Sequence, residues 1–205
     1  MSNAIDLQGR VAIVTGAGSG VGRATAVRLA GQGVQTVLVG RREAELQETA
    51  KKILALGART LVAAGDAGVE RDVARIMARV KTEFGGVDIA IHAAGVGLYG
   101  PVENYSLDDW NQTLATNLTG AFLLSRAVVP SMRERGGGAI IAIASGAAKQ
   151  GYPRLAAYAA SKFGLLGFMQ SLAAEVGDAG IKVSTILPGS IMTDFGPDTA
   201  TEKEA

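Results

Sequence analysis

Cysteine is absent from the 205 residues and histidine occurs once. The first absence excludes disulfides and thiolate metal sites, and the second excludes a histidine-rich metal centre, so no metal is expected. No charge of one sign dominates: 20 Lys and Arg stand against 19 Asp and Glu, for a net charge of +1. Such a balance gives no general attraction to nucleic acid or to an anionic membrane surface. A signal peptide and an apolar run long enough to cross a bilayer are also missing, which leaves a cytoplasmic protein as the expectation. No repeat and no linker-like stretch divides the chain, so one domain over residues 1–205 is expected, with Met1, Ser2, Asn3 and Ala4 as a loose end.

Glycine, by contrast, is abundant, with 28 residues scattered between apolar runs. That distribution suits tight strand-to-helix turns rather than low complexity. The densest case opens the chain. Residues 11–14 read Val-Ala-Ile-Val, a short run suited to a strand buried on both faces. Gly16, Gly18, Gly20 and Gly22 follow, and apolar residues then return at helical spacing. A strand, a glycine loop and a helix in that order make a phosphate-binding unit. Missing Cβ atoms admit a pyrophosphate to the backbone, and the helix start offers free N–H groups and a positive dipole end. The alternative is a tight turn without a ligand.

Strand and helix patterns alternate through the rest. Strands are expected at 35–39, 60–64, 87–92, 139–144 and 181–187, and helices at 43–56, 69–84, 107–131 and 156–176, the third ending near Pro130. Strict alternation predicts an α/β fold, a three-layer, doubly wound parallel sheet of Rossmann type with strand order 3-2-1-4-5-6. Ligands in such sheets bind beyond the C-terminal strand ends. Gly16, Arg41, Asp66, Gly95, Ser145 and Pro188 each follow a predicted strand.

The second strand ends in Gly40-Arg41-Arg42, where a fold selecting NAD usually has an acid for the ribose 2′-hydroxyl. Guanidinium groups there favour a 2′-phosphate, and hence NADP over NAD. Ser19 in the glycine loop, where a base would help, detracts a little. The other reading is that Arg41 and Arg42 open a solvated helix ahead of Glu43 and Glu45. Asp66, beside Ala67, could accept from an adenine amino group or could cap the next helix.

Tyr158 and Lys162 lie four residues apart, on one face of a helix that is otherwise almost uncharged. A phenol titrates near ~10, too high to exchange protons readily at neutral pH. An ammonium ~4 Å away at an effective dielectric of ~20 contributes ~4 kcal/mol as an upper guide, or roughly three pKa units downward. Ser145, at the end of the fifth strand, could donate to a substrate carbonyl. Singly, each has an ordinary explanation as a turn residue or a surface pair.

Taken together, the segment Thr15 to Gly22, Ala93-Ala94-Gly95, Asn117, Ser145, Tyr158-Ala-Ala-Ser-Lys162 and Pro188-Gly189-Ser190-Ile191-Met192-Thr193 resemble the short-chain dehydrogenase/reductase family, over about 7–193. The 3-oxoacyl-[acyl-carrier-protein] reductase subgroup is the nearest common one, with sugar, polyol and steroid alcohols open. The resemblance implies an oxidoreductase that interconverts a ketone and a secondary alcohol with NADP(H). Tyr158 would be the general acid and base, tuned by Lys162, which would also bond the nicotinamide ribose. Ser145 would orient the carbonyl, and Asn117 would hold a water linking Lys162 to solvent. Gly16, Ser19, Gly20 and Val21 would line the pyrophosphate. Ala94, Gly95, Pro188, Gly189, Ile191 and Thr193 would complete the cofactor site. His92 replaces the family's usual Asn and is expected to bridge neighbouring strands. Helices 107–131 and 156–176 are apolar around most of their circumference, which points to a homodimer built on them; the family implies the same dimer, with a homotetramer as the alternative assembly. A further helix and a seventh strand have no counterpart in these residues, and the segment around Gly196-Pro197-Asp198 is expected to be mobile. A non-catalytic dinucleotide-binding sensor or scaffold is the alternative function.

Overall fold

The first strand, β1 (Val11–Thr15), is buried along its whole length. Its side chains alternate between two cores, Val11 and Ile13 on one side of the sheet, Ala12 and Val14 on the other. This is what an unbroken β-branched run is for: a strand with no solvent face must be apolar at every position. The structure, a computed structural model, describes residues 6–191 together with 193 and 195. Met1, Ser2, Asn3, Ala4 and the segment Gly196-Pro197-Asp198 lie outside the described residues.

Five more strands follow: β2 (Gln35–Gly40), β3 (Thr60–Ala64), β4 (Ile89–His92), β5 (Gly138–Ile143) and β6 (Ile181–Ile186). All pair in parallel, in the order β3-β2-β1-β4-β5-β6. Helices α1 (Gly20–Ala30) and α2 (Glu43–Leu54) bury Ala26, Ala30, Leu46, Ala50 and Ile53 against one face. Helices α3 (Glu70–Phe84), α5 (Gly120–Glu134) and α6 (Ala156–Val176) bury Ile76, Val80, Leu124, Met132, Leu165 and Met169 against the other. The three-layer Rossmann architecture and the strand order agree with the sequence reading. The order reverses between β1 and β4, so the crevice for a ligand opens at their C-terminal ends.

Two elements differ from expectation. The single helix 107–131 is instead α4 (Leu107–Leu114), a π-helical turn (Ala115–Thr119) and α5. The insertion widens the helix at Asn117, a common device at functional sites. Helix α5 also runs through Pro130 to Glu134. Pro130 lies on the exposed face of the helix, where water can stand in for the hydrogen bond its missing N–H does not make. Edge strand β6 leaves Ile186 50% exposed. Among the described residues no helix is long and apolar enough to cross a membrane.

Candidate active site

At the end of β1 the chain turns through Gly16, with φ +66°, where a Cβ would sit 2.8 Å from the Ala93 carbonyl oxygen. A Cβ on Gly22 would lie 2.3 Å from the Gly16 carbonyl oxygen, so helix and loop pack backbone to backbone. Thr15 ties this turn to the end of β4, its Oγ1 accepting from Ala93 N at 3.2 Å and Ala94 N at 3.1 Å. Behind the loop, Thr49 Oγ1 donates to the Ala17 carbonyl at 2.9 Å, and Arg23 donates to the Gly18 carbonyl. With those carbonyls satisfied from behind, the start of α1 keeps its N–H groups for a ligand. Ser19 makes no side-chain cap there, and no acid occupies the first turn.

The loop forms one wall of a cleft that opens to solvent. Of the residues expected to bind cofactor, Gly16, Ser19, Arg41, Arg42, Asp66, Ala67, Ala94 and Gly95 line it. The phosphate end, the second-strand arginines and the third-strand acid are thus brought to one place. Asp66 does not cap α3, whose N-cap is Val69; its Oδ1 accepts from Gly68 N at 2.8 Å, and its Oδ2 lies 4.0 Å from Arg41 Nη1. Gly20, Val21, Pro188, Gly189, Ile191 and Thr193 fall outside the lining. Thr193 nevertheless returns to the glycine loop, its Cγ2 3.5 Å from where a Gly20 Cβ would be, and Pro188 accepts from Gly146 N at 3.2 Å. The sequence reading missed Glu45, Val96 and Thr116 in the lining, and the supporting pair Arg23 and Thr49. No spacing rule links Arg23, Glu45 and Thr49, which meet only when α1 and α2 pack. A flat dinucleotide fits this cleft: close backbone approach at the glycines, free N–H groups at a helix start, and cations at the far end.

Beyond Gly95 the reactive groups converge. Tyr158 and Lys162 project from α6 and are 8% and 4% exposed. Lys162 Nζ donates to the Ile143 carbonyl at 3.0 Å and lies 5.5 Å from the centre of the Tyr158 ring. It is 3.8 Å, and Asn117 Oδ1 3.5 Å, from where a Gly95 Cβ would be. Asn117 is buried in the π turn. Its Oδ1 accepts from Val96 N at 2.8 Å, and its Nδ2 donates to the Val96 carbonyl and to Ser161 Oγ, each at 3.0 Å. Ser145 Oγ accepts from Ala147 N at 3.1 Å, which fixes its oxygen within hydrogen-bonding reach of the Tyr158 phenol. Rings of Tyr99 and Phe195 stand 6.0 Å from that of Tyr158, contacts no sequence spacing signalled.

The electrostatics correct one expectation. Burial pushes the Tyr158 phenol above its ordinary value, and the Ser145 hydrogen bond only partly offsets this. Burial likewise lowers the Lys162 ammonium to about 8. Burial dominates at the phenol, and Nζ is committed to the Ile143 carbonyl at 3.0 Å. His92 is a second correction. Its Nε2 meets Ser125 Oγ of α5 at 3.0 Å, joining strand to helix rather than strand to strand, and burial lowers it to about 4.

The family model described as short chain dehydrogenase matches residues 10–204. D-threitol dehydrogenase of Mycolicibacterium smegmatis is 42% identical over 202 residues, covering 93% of this chain and 73% of that protein. The 3-oxoacyl-[acyl-carrier-protein] reductase FabG of Escherichia coli is 35% identical over 191 residues, covering 93% and 77%. A crystal structure from Sinorhizobium meliloti 1021, whose protein carries the provisional name short-chain alcohol dehydrogenase, superposes with a TM-score of 0.91 at 33% identity, covering 97% of this chain and 79% of that one.

Proposed function

Because the chain belongs to the short-chain dehydrogenase/reductase family and is an NAD(P)-dependent oxidoreductase acting on CH–OH groups, we propose that it interconverts a ketone and a secondary alcohol with NADP(H), Tyr158 serving as general acid and base. The observation that carries this reading is the convergence of Tyr158, Ser145, Lys162 and Asn117 beside Gly95, which itself lines the cleft. The dinucleotide, when bound, supplies or accepts the hydride. Everything else falls to the chain. Ser145 directs its hydrogen at the carbonyl oxygen and holds it beside the phenol. A phenol kept above its ordinary value is protonated at neutral pH, the state a proton donor needs in reduction. Lys162 stabilises the phenolate left behind, and Asn117 holds the 94–96 turn and α6 in register around it.

Gly16, Ser19, Gly20 and Val21 would take the pyrophosphate, Asp66 and Ala67 the adenine, and Ala94 and Gly95 the ribose. Pro188, Gly189, Ile191 and Thr193 would hold the nicotinamide end. Arg41 and Arg42 supply the cations for a 2′-phosphate, which favours NADP. The reductase acting on acyl-carrier-protein esters and the polyol dehydrogenase among the relatives mark two substrate classes to try first. A homodimer through α5 and α6 is supported by Phe122 and Phe163, 42% and 45% exposed on their outer faces.

The test is cofactor-dependent turnover of a panel of ketones, with NADPH and NADH in parallel. Reduction with NADPH ahead of NADH is expected. If NADPH binds and no member of the panel is reduced, the sensor or scaffold reading takes its place.

A further inference from the structure

Four charged side chains line the cleft: Arg41, Arg42, Glu45 and Asp66. Their formal charges cancel, and each cation already has an anion. Arg41 Nη1 lies 4.0 Å from Asp66 Oδ2, and Arg42 Nη1 lies 3.5 Å from Glu45 Oε1. Glu45 does more than pair with Arg42. Its other oxygen meets Arg23 Nη2 at 3.2 Å, and its stem rests against the glycine loop, 2.9 Å from where a Gly18 Cβ would be. The carboxylate is therefore fixed between the back of the phosphate loop and the arginine wall, instead of swinging free in solvent.

A phosphate monoester on the ribose 2′-oxygen carries close to two negative charges at neutral pH. To use the Arg42 nitrogen that holds Glu45 it must displace that carboxylate, and anywhere on Arg42 it lies near the carboxylate's charge. A 2′-hydroxyl meets no such opposition, since a hydroxyl can donate to a carboxylate. We propose that Glu45 is a specificity-determining residue of this cleft: by holding Arg42 it restrains the preference for 2′-phosphorylated dinucleotides that Arg41 and Arg42 would otherwise confer. The inference rests on the dinucleotide reading given above. Arg23 remains anchored without Glu45, because it also donates to the Gly18 carbonyl and to Thr49 Oγ1. Loss of the carboxylate therefore releases Arg42 while the loop keeps its support.

The experiment measures Kd for NADPH, NADH and adenosine 2′,5′-bisphosphate with the wild-type chain, E45Q, E45A, R42A and R42A/E45Q. In E45Q and E45A the NADPH:NADH affinity ratio should rise about fivefold, as expected for removing one half-exposed ion pair. The bisphosphate should tighten in parallel, and neither shift should survive in R42A/E45Q. Equal changes for NADPH and NADH would make Glu45 a support for the loop alone and overturn the proposal. So would a ratio shift that persists without Arg42. Failure of the wild-type chain to bind either dinucleotide would overturn the oxidoreductase reading, and this proposal with it, and so is told apart from failure of Glu45 alone.

Discussion

Lys162 carries its ammonium 4% exposed, with one backbone carbonyl as its hydrogen-bond partner. Its ordinary value of 10.5 falls to about 8 in the folded chain, so folding disfavours the charged form. The sign follows: the penalty is fully present below pH 8 and is relieved as pH rises from 8 towards 10.5. Lys162→Met removes it together with the bond to Ile143, and should stabilise the chain at pH 7 by about 2 kcal/mol in urea denaturation while abolishing turnover. A destabilised and inactive variant would show that the ammonium is structural. His92 obeys the same rule with a different outcome. Its ordinary 6.5 drops to about 4, so it is neutral in the fold at physiological pH and contributes no penalty there. As pH falls from 6.5 to 4 the unfolded chain takes up a proton that the folded chain refuses, and stability falls by about 3 kcal/mol. The difference in stability between wild type and His92→Asn should therefore change by that amount across this window. A constant difference would mean that His92 is solvated.

At the scale of elements, the glycine loop works because two helices hold its carbonyls from behind while its front stays open. Gly22→Ala forces a Cβ onto the Gly16 carbonyl, which cannot yield without moving α1 off the loop. Titration with NADPH and NADH should show both weakened at least about tenfold, with a stability loss of about 1–3 kcal/mol from overpacking. Unaltered binding would place the dinucleotide elsewhere. The elements themselves were largely legible. The apolar run of β1 gave its burial on both faces, helix 156–176 was read to the residue, and Asp66, Arg41 and Ser145 fell at strand ends because alternation fixes where strands end. The π turn at Asn117 was not legible, because one residue added to a turn hardly disturbs an apolar stripe. Pro130 misled because its cost depends on which face it occupies, and sequence does not give that. The Arg23–Glu45–Thr49 cluster was illegible for a third reason: it joins two helices whose packing no local pattern encodes.

At the scale of the molecule, α5 and α6 carry more apolar surface than the sheet covers. Phe122 packs edge to face on Phe168 with their ring centres 6.2 Å apart, and Arg126 lies over Phe122, yet Phe122 and Phe163 stay exposed. A second copy related by a two-fold axis would bury both. Phe163→Glu should shift the chain from dimer to monomer in size-exclusion chromatography with light scattering; a monomeric wild type would contradict that arrangement. The same helix bears Tyr158, buried, on its inner face and this apolar patch on its outer one. In the proposed dimer, association and chemistry would share one rigid body.

The most direct measurement is single-turnover reduction of a ketone by the NADPH complex of the wild-type chain and of Tyr158→Phe. A proton donor at that position is worth about 10²–10⁴ in rate. The variant should bind NADPH as the wild type does and transfer hydride at least about a hundredfold more slowly. Equal rates would contradict the account, because the proton would then come from some other group.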